Sequence, residues 1–323
     1  MIPKVFLGPM SYNIVNAVLD LDIPLGLIPS RRQVEYNTGY VGLTTEELYR
    51  ITRGSKVTLC RDHAGPNQGS SYDDGLLSLK EDSKYFDVVH IDPWKEVSSI
   101  DEAIEKTYNL ITFCLQENPS LKFEVGTEEA IFPYSPKNLF YFLSQLKVKL
   151  GSFFQNITFA VVQSGTELDL PCRKNTGNFD IKRLRDFIEV CNTFGVCSKE
   201  HNGDYLLDNF GIAFRFESGL HGINIAPEIG QIETEYYIYK IGSNSSLFER
   251  LYLLCYESRK WEKWISKEVS PQELVLTAGH YILNTSAFKE KIKKEFPEAD
   301  LEIQEHIKTY VKKVYLQANG YET

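Results

Sequence analysis

The sequence predicts a (β/α)8 barrel with a C-terminal helical extension. Apolar, strand-like runs alternate with stretches of helical periodicity in eight units between Lys4 and Glu228. Strands joined by helical crossovers pair in parallel, and eight units in a length close to the ~250 residues typical of closed barrels argue for closure. Most of the runs also end in polar residues, and in a closed barrel those C-terminal ends converge on one mouth. The competing architecture is an open doubly wound sheet. No Gly-x-Gly-x-x-Gly follows any predicted strand, so a dinucleotide site in such a sheet has nothing to rest on.

The first unit is Lys4 to Leu7 leading into a helix from Asn13 to Leu19, and the second is Leu25 to Pro29 leading towards a helix from Thr44 to Thr52. The third is the most informative: Thr58-Leu59-Cys60-Arg61-Asp62-His63 is a strand ending in an Asp-His pair that breaks at once into Ala64-Gly65-Pro66-Asn67. Val88 to Asp92 follows, with a helix from Ile100 to Leu115, then Leu121 to Glu128, then Phe159 to Glu167 with a helix from Asp180 to Phe194. Val196 to His201 and Gly222 to Glu228 complete the set. Beyond Glu235 the pattern is helical, with segments Ser246 to Tyr256, Trp261 to Ile265, Pro271 to Leu283, Thr285 to Phe296 and Ile303 to Gln317. The barrel is therefore assigned to residues 1–235 and the extension to 236–323. An apolar face on that extension could dock a partner subunit.

Composition narrows the function. The 323 residues are 42% hydrophobic, enough for one large core, and the net charge of −9 argues against a polyanion-binding surface. No run of 18 apolar residues and no signal-like leader occurs, so a soluble, cytoplasmic protein without membrane or nucleic-acid partners is expected. Six cysteines lack Cys-x-x-Cys spacing and read as reduced, mostly buried thiols.

At the strand tips, Asp62 and His63 alternate in direction along an extended strand, but both can face the mouth once the chain turns at Gly65-Pro66. One can then carry a proton while the other binds metal. His201 is the natural second imidazole ligand, and two neutral imidazoles with carboxylates suit zinc or another divalent first-row ion. Of the acids Glu124, Glu128, Glu167, Glu200 and Asp204, Glu128 at the loop mouth is preferred. His90, inside an apolar strand, reads as core; His221, His280 and His306 read as structural or surface residues. Arg31, Arg32 and Arg61 would form an anion clamp, pointing to a phosphorylated or carboxylated substrate. Asn202-Gly203-Asp204 and Asn224 lie where barrels often hold phosphate. Lys95 and Lys199 flank charged, exposed tips, which leaves no strand-end lysine for a Schiff base. A sugar-kinase reading is disfavoured, since no Gly-rich phosphate loop precedes a helix.

Taken in order, Gln33-Val34 with Gly39-Tyr40 and Thr44, Asp62 to Asn67, His90-Ile91-Asp92, Gly126-Thr127-Glu128, Glu200-His201 with Asp204-Tyr205, and the segment ending at Pro227 resemble the so-called non-catalytic subunit of class II D-tagatose-bisphosphate aldolase (the GatZ/KbaZ type). That family is similar to the zinc-dependent class II ketose-bisphosphate aldolases. The resemblance implies that Asp62 is the catalytic acid/base, and that His63 and His201 are metal ligands. The strand-six histidine of those aldolases has no counterpart, because Gln163-Ser164-Gly165-Thr166-Glu167 stands in its place; Glu128 or Glu167 would supply the third ligand. Gln33, Asn67 and Asp92 join the expected substrate-binding set.

The activity implied is aldol cleavage or condensation of an anionic sugar through an enediolate stabilised by a divalent metal, zinc first, with manganese or cobalt as alternatives. The other role the resemblance implies is that of an accessory subunit stabilising a class II aldolase. A homo-oligomer is expected in either case.

Overall fold

The core strands are short and buried on both faces, as parallel strands covered by helices are, and their pairing closes. A computed structural model describes residues 2–127 and 134–321. The barrel strands are β1 (Val5–Leu7), β2 (Leu25–Leu27), β3 (Val57–Ala64), β4 (Val88–Ile91), β5 (Lys122–Gly126) and β6 (Ile157–Val162). A hairpin of β7 (Thr166–Asp169) and β8 (Lys174–Gly177) intervenes before β9 (Cys197–Glu200) and β10 (Gly222–Ile225). Every barrel pairing is parallel, and β10 pairs with β1 to seal an eight-stranded barrel. The helices that follow are α1 (Tyr12–Asp20), α2 (Thr45–Thr52), α3 (Leu76–Tyr85), α4 (Ile100–Glu117), α5 (Pro136–Leu150), α6 (Ile181–Phe194), α7 (Gly211–Glu217) and α8 (Pro227–Ile241). Caps readable in the sequence set several starts: Thr44 with Glu47 opens α2, and Ser135 with Asn138 opens α5, each as a reciprocal capping box.

The remaining helices, α9 (Ser246–Glu257), α10 (Pro271–Ala278), α11 (Ser286–Lys291) and α12 (Ala299–Ala318), lie against the barrel. The α12 helix runs along α1. There Asn13 Nδ2 donates to Glu233 Oε1 at 2.8 Å and to Asp300 Oδ1 at 2.9 Å, while Gln304 Nε2 donates back to Asn13 Oδ1 at 3.0 Å. Lys4 Nζ donates to the Ala318 carbonyl at 2.8 Å, so the last long helix is fastened to the first strand. No helix among the described residues is long and apolar enough to cross a membrane.

Inside the barrel, alternate residues form their own apolar layer of Phe6, Ile28, Cys60, Val88 and Phe159, with Phe6 and Phe159 edge to face at 5.5 Å. Gly26 is required there, because a Cβ would stand 2.0 Å from the Phe6 ring. The intervening residues face the helices. Arg61, fully buried, is therefore directed outward: its guanidinium forms two bonds with Asp82, at 2.6 and 2.9 Å, and donates to the carbonyls of Pro29 and Val34. Arg61 is a strut between β3 and α3 and takes no part in an anion clamp.

Replacing Arg61 by Met should strand the Asp82 carboxylate and lower the unfolding free energy by about 3–5 kcal/mol, read from urea denaturation. A loss below ~1 kcal/mol would show that the pair is not structural.

Candidate metal-binding site at the barrel mouth

The Asp-His tip of β3 turns sooner than the sequence suggests. His63 itself adopts a left-handed conformation (φ 49°), and the β3–β4 register shifts between Arg61 and Ala64. This bulge brings consecutive side chains to one face, which a regular strand forbids. Gly65 completes the turn at φ 144°, where a Cβ would meet the Asp92 carbonyl at 2.6 Å.

Four side chains converge as a result. Asp62, His63, His90 and His201 each offer one ligand atom, and these atoms lie within 4.8 Å of one another. The three imidazole rings have centroids 4.9 to 5.4 Å apart. His90 is buried, as an apolar strand implies, yet its ring belongs to this cluster: position 90 shares the inward parity of Val88. Three imidazoles and a carboxylate are a donor set that divalent first-row metals accept.

Carboxylates behind the rings orient them. Asp92 Oδ2 lies 2.7 Å from His63 Nδ1 and accepts from Gln68 Nε2 at 2.7 Å, so His63 presents Nε2 towards Asp62, 3.8 Å away. Burial opposes ionisation of Asp92, but the His63 hydrogen bond and the neighbouring imidazoles hold its carboxyl below the usual range. Glu124 Oε1 lies 2.8 Å from His201 Nε2, and its Oε2 accepts from Lys199 Nζ at 2.6 Å. Burial pushes the Glu124 carboxyl up, and the Lys199 charge and His201 hydrogen bond bring it well below its ordinary value. Lys199 is wholly buried inside the barrel, 3.9 Å from the centroid of Phe6, so the exposed tip expected for it is not formed. Burial would lower its pKa; Cys60 and Glu124 raise it instead. Because burial holds the Cys60 thiol neutral, the charge responsible is that of Glu124.

The cluster opens into a cavity of about 790 Å³. Arg32, Gln33, Asp62, His63, Asp92, His201, Asn202, Asp204 and Asn224 line it. Several expected contacts are occupied elsewhere. Arg31 is buried and committed to Glu35 (2.6 Å) and Asp73 (2.5 and 2.8 Å). Asn67 is a turn residue at φ 58°, donating to Glu96 at 2.5 Å. Gly203 holds the β10 end through the Asn224 carbonyl at 2.8 Å, and Asp204 Oδ1 accepts the backbone N–H groups of Ala226 and Glu228 at the start of α8. Glu200 faces outward to Arg215 at 2.6 Å. Glu167, expected as a third ligand, is exposed on the β7 edge of the hairpin and outside the cluster. Glu128 lies outside the described residues. Gln68, Lys95, Lys263, Trp264, His280 and Tyr281 also line the cavity; Lys263 and its aromatic neighbours carry no local motif, since tertiary packing alone brings them to the mouth. A groove of similar size, about 820 Å³, runs along α4 among Glu102, Glu105 and Lys149 and shares no lining residue with this cavity.

By sequence, no protein-family description and no curated protein matches the chain. Its fold is matched by solved structures. A probable tagatose 6 phosphate kinase from Sinorhizobium meliloti 1021 has a TM-score of 0.76 at 14% identity, over 98% of this chain and 100% of that one. The fructuronate-tagaturonate epimerase UxaE from Cohnella laeviribosi, in a glycerol complex, gives 0.68 at 12% identity, over 99% and 83%. A putative fructose-1,6-biphosphate aldolase from Coccidioides immitis gives 0.55 at 13% identity, over 91% and 94%. The chain thus has a barrel fold of the kind found in aldolases and sugar-processing enzymes.

His280 supplies a pH test. Burial, then the Lys263 charge, hold its pKa down to about 3 against 6.5 ordinarily, so between those values the unfolded chain binds the extra proton. Stability should fall as pH drops through that window, with a slope of at most about 1.4 kcal/mol per pH unit from this group. Denaturation from pH 7 to 4 should show a shallower slope for His280→Gln; an unchanged slope would remove His280 as the source.

Proposed function

We propose that the protein is a metal-dependent aldolase or related lyase acting on an anionic sugar, phosphorylated or carboxylated. The observation that carries this reading is the convergence of Asp62, His63, His90 and His201 within 4.8 Å at the C-terminal mouth of the barrel. His63, His90 and His201 would hold the ion, so the third imidazole comes from β4, in place of the strand-six histidine that the aldolase resemblance leaves missing. A divalent ion bound there supplies Lewis acidity to adjacent carbonyl and hydroxyl oxygens.

The chain's own groups do the rest. Asp62, half-buried beside His63, moves the proton that bond cleavage releases or takes up. Asp92 and Glu124 fix the orientation of His63 and His201. Lys199, tied as an ammonium to Glu124, is not available as a Schiff-base amine, which favours the metal-dependent class. A cavity of about 790 Å³ accommodates a sugar phosphate or a sugar acid. The folds of a putative aldolase and of a sugar-acid epimerase are in keeping with that substrate class.

Protein purified without chelators should carry close to one divalent metal per chain by elemental analysis, and His63→Ala and His201→Ala should lose it. Asp62→Asn should keep the fold while lowering turnover of ketose phosphates or keto sugar acids about 10²–10⁴-fold. Absence of metal after incubation with zinc, manganese and cobalt would sink the reading in favour of an accessory subunit, for which stable co-purification with a class II aldolase is the measurement.

A further inference from the structure

We infer that the C-terminal helical extension completes an oxyanion subsite at the mouth, formed by Arg32, Lys95 and Lys263. The inference rests on the anionic-sugar reading and names the residues that meet the charged end of the substrate, phosphate or carboxylate.

Three cations from distant parts of the chain line one cavity with Asp62, His63 and His201. Arg32 follows β2, Lys95 follows β4, and Lys263 lies just after α9. In a protein with 44 acidic and 35 basic residues, none of the three has a carboxylate within 4 Å among the described residues. Their polar contacts are few and neutral: Arg32 Nε donates to the Gly69 carbonyl at 3.2 Å, and Lys95 Nζ to that of Asn67 at 2.9 Å. Lys263 Nζ rests over the Trp264 ring, 4.2 Å from its centroid, and Trp264 is in turn held by the Tyr281 hydroxyl at 3.1 Å. Three cations share one partly buried cavity at a cost: burial, then Arg32 and Lys95, bring the Lys263 ammonium down to about 8, although Asp62 across the cavity pulls the other way. A planar guanidinium with two ammonium groups suits an oxyanion that accepts several charged hydrogen bonds. Arg31 and Arg61 cannot contribute, since Asp73, Glu35 and Asp82 already neutralise them.

The subsite is tested at pH 7 by thermal shift and calorimetry with inorganic phosphate, with gluconate, and with glycerol as the neutral control, on chelator-treated and metal-loaded protein alike. Phosphate or gluconate, unlike glycerol, should stabilise the native chain, and the tighter binder identifies which anion the subsite prefers. Arg32→Gln and Lys263→Met should each weaken anion binding about tenfold or more. Lys263→Arg should retain it, which separates loss of charge from loss of fold. No anion effect at about 10 mM, or undiminished binding in both charge-removing variants, would overturn the subsite. Anion binding that survives in protein unable to take up metal would uphold it while removing the aldolase reading.

Discussion

A lysine ammonium sealed inside a parallel barrel constrains much of what surrounds it. Lys199 cannot reach water, so its charge must be met within the barrel, and Glu124 meets it at 2.6 Å. Phe6 and Phe159 turn their rings to it at 3.9 and 5.3 Å. Gly26 and Gly222 keep their strands clear of those side chains; a Cβ at Gly222 would press on the Lys199 stem at 3.2 Å. The other oxygen of Glu124 then reaches the His201 ring, so the charge pair in the core fixes an imidazole at the mouth. Core packing and site geometry are one network here, and a change to any member is felt at the mouth.

Much of the architecture was legible because it rests on local rules. The expected helices from Ile100 to Leu115 and Asp180 to Phe194 correspond to α4 and α6, and the tail segments Ser246 to Tyr256 and Ile303 to Gln317 to α9 and α12, within a few residues at each end. The β7–β8 hairpin was not foreseen; its residues extend what reads as the tip of the sixth barrel strand. The site was legible only where alternation could be applied. Cys60, Asp62, Val88 and His90 point inward, and Arg61 and Glu200 outward, a parity that strand period alone could have assigned. By the same parity Lys199 belongs with His201, inside. What no local rule could reach is the meeting of Arg32, Lys95 and Lys263, which are neighbours only after the chain has closed the barrel and laid its last helices over the rim.

The protein also shows how little a barrel fold commits a chain to one reaction. Structures sharing its fold bear the names of a kinase, an epimerase and an aldolase, at identities of 11 to 14%. In this chain the cavity is lined by His63 and His201, braced by buried carboxylates, and by the cations Arg32, Lys95 and Lys263, none of which has a carboxylate within 4 Å among the described residues.

The left-handed backbone at His63 makes the mutational neighbourhood of the site uneven. A non-glycine residue at φ 49° is tolerated best when it is Asn or Asp, and β-branched residues are nearly excluded. His90 and His201 carry no such restriction, since neither has a positive φ. Conformation therefore screens replacements at position 63 before chemistry does, and the side chains the backbone accepts best, Asn and Asp, end at the level of Nδ1, short of the nitrogen that faces the cluster. A lineage drifting from this sequence would empty this donor position sooner than exchange it for another ligand.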